Sequence, residues 1–149
     1  MDAPLTYYLG LGSNIGDKPL NLRTAVDYIG RRIGQVSRLS SFIETAPWGF
    51  RSPNTFLNAA LAVESPLEPH DVLRLTQEIE REMGRTTKSQ AGIYADRIID
   101  IDLLLCYRAD GRPVCIDSPA LRLPHPLIAQ REFVRVPLRE IGIEWPAPE

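Results

Sequence analysis

Along this chain, apolar and polar residues switch between two repeats, one of period two and one of period 3.6, and the switches divide it into elements. Leu5 to Leu11 is a run rich in apolar residues and β-formers, predicting a strand, and Gly12-Ser13-Asn14-Ile15-Gly16-Asp17 then supplies turn residues and a helix cap. Leu22, Val26, Ile29 and Ile33 recur at helical spacing, with Pro19 in the first turn and Gly34 at the end. A second strand is predicted over about Val36 to Glu44. Its expected partner is Thr55 to Glu64, reached through the Pro- and Gly-rich stretch Ala46-Pro47-Trp48-Gly49-Phe50-Arg51-Ser52-Pro53-Asn54. Pro69, Val72, Leu75, Ile79, Met83 and Gly84 mark a second helix, and Arg85 to Asp96 is a polar loop without periodicity. The strand Ile98 to Cys106 completes the order βαββαβ. That order predicts an α+β, ferredoxin-like sandwich on a mainly antiparallel four-stranded sheet. Ala109-Asp110-Gly111-Arg112 reads as a turn between short extra strands, and 124–141 mixes prolines with short C-terminal helical stretches.

The last core strand carries the most informative departure from apolar patterning. In Arg97-Ile98-Ile99-Asp100-Ile101-Asp102-Leu103-Leu104-Leu105, alternation puts Asp100, Asp102 and Leu104 on one face and Ile99, Ile101, Leu103 and Leu105 on the other. The two carboxylates lie about 6.6 Å apart along the strand. They can converge on a hard divalent cation, which prefers oxygen ligands. A lone Asp-x-Asp more often marks a solvated strand face, so the neighbouring residues decide its meaning.

Length and composition restrict the choice further. At 149 residues, 44% hydrophobic and 24% charged, the chain has the makeup of one globular domain spanning 1–149. A net charge of −2 and a pI near 5.7 argue against a general nucleic-acid surface, so any anion site must be local. Cys106 and Cys115 are too few for a disulfide framework, and with only His70 and His125 they cannot form a usual zinc site. No apolar run approaches the roughly 18 residues of a membrane span, and Met1-Asp2-Ala3-Pro4 lacks the basic start of a signal peptide. A cytoplasmic monomer without membrane or nucleic-acid partners is the expectation.

Gly10, Gly12 and Gly16 follow a strand and precede a helix, but Gly16 falls one residue late for a dinucleotide fingerprint, and Lys18 completes no Walker A loop. Taken alone, these glycines predict a tight strand-to-helix turn. Arg85, Lys88 and Arg97 bring positive charge to both ends of the loop before the aspartates, a combination suited to phosphate plus magnesium. His125 sits between Pro124 and Pro126, and Arg131 and Phe133 follow, a cation and an aromatic suited to a nucleotide or a flat heterocycle. His70, beside Asp71, reads as a surface residue.

These residues resemble those of the hydroxymethyl-dihydropterin pyrophosphokinase family. The resemblance runs in order through Leu11-Gly12-Ser13-Asn14, Ser40-Ser41-Phe42, Thr45, Phe56-Leu57-Asn58-Ala59-Ala60, Glu80 and Gly84-Arg85. It continues through Arg97 to Leu104, Pro124-His125-Pro126, Arg131-Glu132-Phe133-Val134 and Pro137-Leu138. The resemblance implies transfer of the terminal diphosphate of ATP to a pterin hydroxymethyl group, with release of AMP, on a ferredoxin-like fold. It implies that Asp100 and Asp102 bind two Mg2+ ions, commonly about 3.5 to 4 Å apart in such sites, and that Arg85 and Arg97 neutralise charge on the transferred group. ATP contacts are implied for Gln77, Glu80, Lys88, Tyr94, Ile101, His125 and Arg131. Pterin contacts are implied for Thr45, Trp48, Phe56, Asn58 and Phe133, the two phenylalanines stacking on the heterocycle and Asn58 matching its mixed donor and acceptor edge. Tyr94 stands where some members carry a tryptophan. Two other readings use the same residues: a two-metal phosphodiesterase, and a ferredoxin-like RNA-binding module, although the aromatic Lys/Arg-Gly-Phe motif of such modules is missing from Thr55 to Glu64.

Overall fold

The computed structural model describes residues 3–45, 55–84 and 98–145. Strand β1 (Leu5–Ser13) leads to helix α1 (Lys18–Arg32), which starts where Asp17 accepts the Leu20 N–H at 3.1 Å and Pro19 occupies the first turn. β2 (Gln35–Leu39), β3 (Ile43–Thr45) and β4 (Phe56–Ser65) follow, then α2 (Pro69–Glu82) and β5 (Asp100–Tyr107). A two-stranded ribbon of β6 (Ile116–Asp117) and β7 (Arg122–Leu123) and a 3-10 turn (Ile128–Gln130) lead to α3 (Glu132–Glu140).

The main sheet runs in the order β2-β4-β1-β5, with every described pairing antiparallel and β3 also on β4. This is the expected ferredoxin-like order, with β1 and β4 at its centre. One sheet face carries Tyr7, Leu9, Leu11, Leu61 and Val63, packed against Leu22 and Ile29 of α1 and Val72 and Ile79 of α2. All of these are fully buried except Leu11, at 3% exposure, and burial of each aliphatic side chain of this kind stabilises by about 1.5–3 kcal/mol. The other face carries Tyr8, Ala60, Ala62 and Leu104, covered by Ile128 and by Val134 and Leu138 of α3. Alanines on that face let α3 approach the sheet closely.

Gly34 joins α1 to β2 because only hydrogen fits there: a Cβ would lie 2.0 Å from the Glu64 carbonyl oxygen. Two strands differ from expectation. The predicted strand from Val36 to Glu44 is interrupted at Ser40-Ser41-Phe42. Ser40 bonds through its own N–H to the Ala60 carbonyl (2.9 Å), while its Oγ accepts the Ala60 N–H (2.9 Å), so a side chain replaces the backbone acceptor and the ladder breaks. In β5, the register against β1 shifts between Tyr8 and Leu9, which face Leu105 and Leu103. This bulge turns Leu104 and Leu105 both toward the α3 side, against the strict alternation expected for Leu105, and Cys106 returns to the side covered by α1 and α2.

Candidate active site

The α3-covered face turns polar at one end of the sheet, and register brings the candidate residues together there. Gly12 on β1 lies opposite Asn58 on β4 and opposite Asp100 on β5, and Gly10 lies between Ala60 and Asp102. Antiparallel partners share a face. Asn58 and Asp100 therefore flank a position with no side chain. A Cβ on Gly12 would stand 3.3 Å from Asn58 Oδ1 and 3.5 Å from the Phe56 ring. The sequence placed Gly10 in the first strand and Gly12 in the turn that follows it. Both lie inside β1 toward its end, where Leu104 packs over Gly10, and Gly12, without a side chain, floors a trough between Asn58 and Asp100, while Gly16, at φ +76°, makes the turn.

On the β4 side of the trough, the buried Asn58 amide donates to Thr45 Oγ1 at 2.6 Å, tying the end of β3 to the sheet. Both ends of the 46–54 connection are held. Lys18 Nζ donates to the Thr55 carbonyl and Oγ1, each at 3.2 Å, and the Thr55 hydroxyl donates to Glu44 at 2.5 Å. Sequence inspection assigned no role to Lys18, because these partners are remote in the chain.

On the β5 side, Asp100 and Asp102 are half-buried and project from the trough face. Glu80, buried on α2, accepts the Ile101 N–H at 2.9 Å, so a carboxylate pins the strand between the two aspartates. Gln77 is exposed about one turn earlier on α2. Arg131, at the N-terminal boundary of α3, is buried, lies 3.9 Å from Asp102, and has its guanidinium carbon 5.7 Å from the Phe133 ring centre.

His125 is fixed by its backbone, since its N–H donates to the Leu104 carbonyl at 2.9 Å after the cis Leu123–Pro124 bond. Its Nδ1 accepts the Leu127 N–H at 3.2 Å, so the neutral ring carries its proton on Nε2 as a donor. Burial, then the Arg131 charge, lowers its pKa below the ordinary histidine value, against an opposing pull from Asp100.

Of the sequence candidates, the structure gathers Thr45, Phe56, Asn58, Asp100, Asp102, His125, Arg131 and Phe133 around the polar end of this face, with Glu80 and Ile101 behind it. Trp48, Arg85, Lys88, Tyr94 and Arg97 lie outside the described residues. Among the described residues, no group of three or more His, Cys, Asp and Glu forms a metal cluster. The donor set still fits Mg2+, whose hard, octahedral coordination commonly uses one or two carboxylates and takes further oxygens from phosphate and water.

The fold and trough define a ferredoxin-like domain with one carboxylate pair opposite an asparagine-lined recess. Residues 8–143 match the family described as 7,8-dihydro-6-hydroxymethylpterin-pyrophosphokinase (HPPK), and the chain belongs to that family. It is 50% identical over 142 residues to the 2-amino-4-hydroxy-6-hydroxymethyldihydropteridine pyrophosphokinase of Porphyromonas gingivalis, covering 95% of this chain and 93% of that protein. The Bacillus subtilis protein of the same name is 40% identical over 135 residues, covering 90% and 76% respectively. Among solved structures, wild-type Plasmodium falciparum HPPK-DHPS with STZ-DHP superimposes with a TM-score of 0.68 at 14% identity, over 93% of this chain. At that identity the likeness concerns the fold, and this chain spans 40% of the Plasmodium chain.

Proposed function

We propose that this protein transfers diphosphate from ATP to the hydroxymethyl group of 6-hydroxymethyl-7,8-dihydropterin, releasing AMP, as a step of folate biosynthesis. The observation that carries this reading is the Asn58–Gly12–Asp100 row, which sets a recess beside a carboxylate pair in a chain of the HPPK family. The pterin hydroxyl oxygen attacks the β-phosphorus of ATP. The bond from that phosphorus to the oxygen bridging the α-phosphate breaks, AMP leaves with that oxygen, and the hydroxyl proton passes to solvent.

In this reading, Asn58 presents the donor and acceptor groups that a pterin edge requires, Thr45 extends that contact, and Phe56, Phe133 and Trp48 enclose the ring. His125 Nε2–H and Arg131 bind phosphate oxygens, as do Lys88 and the catalytic Arg85 and Arg97. Gln77, Glu80, Tyr94 and Ile101 are assigned to the nucleotide, with the Glu80 bond to Ile101 keeping the strand in place. Assignments to Trp48, Arg85, Lys88, Tyr94 and Arg97 rest on the sequence. Two Mg2+ ions held by Asp100 and Asp102 would supply charge neutralisation at the triphosphate.

The enzyme is taken to act as a cytoplasmic monomer on ATP and pterin, with no nucleic-acid or membrane partner. Among the described residues no helix is long and apolar enough to cross a membrane. Incubation with ATP, Mg2+ and the hydroxymethyl pterin is expected to yield AMP and the pterin diphosphate, separated by chromatography and identified by mass. Formation of ADP, or no turnover, would overturn the reading. Sedimentation at assay concentration tests the monomer.

A further inference from the structure

Helix α3 starts at the candidate site and ends against the β2–β3 break, and its C-terminal end has no role in the reading above. At its start, Arg131 lies 3.9 Å from Asp102. Its last residue, Glu140, accepts two bonds from one residue of the β2–β3 break: Ser41 N–H and Ser41 Oγ–H, each at 2.8 Å. These bonds hold the Glu140 carboxyl below its ordinary pKa, so it is ionised at neutral pH. One residue further, the Ile141 carbonyl accepts Arg38 Nη1 at 2.7 Å. Gly142, at φ +94°, leaves space for that guanidinium, since a Cβ there would lie 2.8 Å from Nη1. The helix end therefore grips Arg38 in β2 and Ser41 within the break that follows it.

From Ser41 the chain passes through Phe42 into β3, which ends at Thr45, the residue bonded to Asn58. We infer that Glu140 is a positioning residue for the pterin subsite: its two bonds to Ser41 fix where β3 leaves the break, and so where Thr45 meets Asn58. α3 then acts as a strut between the metal-binding carboxylates and the pterin edge. A misplacement of about 1 Å is enough to cost substrate recognition or rate severely.

This inference rests on the pterin subsite proposed above, and steady-state AMP release with each substrate varied separately tests it. Glu140→Ala is expected to raise the pterin KM about tenfold, in line with loss of hydrogen bonds to a charged acceptor, while kcat and the ATP KM stay within about twofold of wild type. Glu140→Gln, which can accept the Ser41 N–H and still pair with its hydroxyl, is expected to recover most of the loss. Ser41→Ala is expected to lie between, and the double variant to be no worse than Glu140→Ala alone. Urea midpoints monitor folding. Should Glu140→Ala fail to fold, Ser41→Ala and Glu140→Gln carry the test, the first raising the pterin KM selectively and the second holding it near wild type. An unchanged pterin KM, or equal rises for both substrates, would overturn the inference and leave the activity in place. Absence of AMP release by the wild-type enzyme would overturn the activity itself.

Discussion

The Asn58 side-chain amide donates to Thr45 Oγ1 at 2.6 Å, joining β4 to the end of β3 beside Gly12, near the end of the central strand β1. This fixes which face of Asn58 remains for a ligand. Asn58→Ala removes both the bond and the recognition edge, and the pterin KM is expected to rise about tenfold or more, with the ATP KM little changed. Gly12→Ala, whose new Cβ would stand 3.3 Å from Asn58 Oδ1, should weaken pterin binding and also lower the urea midpoint, because the buried Asn58, held by Thr45, must give way. Calorimetric titration with the pterin and an unreactive ATP analogue measures both.

Replacing either strand carboxylate should act on rate. Asp100→Ala or Asp102→Ala is expected to cost about hundredfold or more in kcat, roughly 2.7 kcal/mol of barrier. Chelation by EDTA should abolish wild-type turnover, and added Mg2+ should restore it. Asp102→Ala also removes the carboxylate beside the buried Arg131, so its urea midpoint should fall further than that of Asp100→Ala.

His125 supplies a pH signature. Its folded pKa lies below its unfolded value, so the folded state disfavours the proton. The associated stability is present above the ordinary histidine pKa, about 6.5, and is lost as pH falls through that value toward the folded pKa. A 15N NMR titration should show a neutral ring protonated on Nε2 at pH 7, titrating below 6.5. Midpoints of urea unfolding should decline over the same acidic range, and His125→Gln should flatten that part of the profile.

The cysteines should differ sharply in reactivity. Cys106 is buried on the side covered by α1 and α2, where burial pushes its thiol up to about 11, while Cys115 is exposed. A thiolate reagent at pH 8 should modify Cys115 in the native protein and reach Cys106 only on unfolding. Mass mapping of labelled peptides with and without urea gives the answer. Rapid native labelling of Cys106 would contradict its placement in the core.

Local order made much of the fold legible in the chain. Helical spacing of Leu22, Val26, Ile29 and Ile33, the Asp17 cap and the Pro69 start foreshadow α1 and α2, because those signals act within a turn or two. Alternation likewise placed Asp100 and Asp102 on one face of a strand. The bulge near Leu104 and the break at Ser40 were not legible, since each depends on a neighbouring strand: β1 shifts the register, and the Ala60 carbonyl and N–H on β4 both pair with Ser40.

The candidate site divides in the same way. The sequence by itself determined the inventory: two carboxylates at strand spacing, an asparagine, a proline-flanked histidine, and an ordered set of motifs spanning most of the chain. Tertiary structure alone decided how they meet. Gly12 became the floor between Asn58 and Asp100, Glu80 reached Ile101 across 21 residues, and Glu140 reached Ser41 across 99. The physical reason is range. Propensity and periodicity are properties of neighbouring residues, whereas a trough, a pinned strand and a strut come into being when distant backbones pair and their side chains compete for the same space.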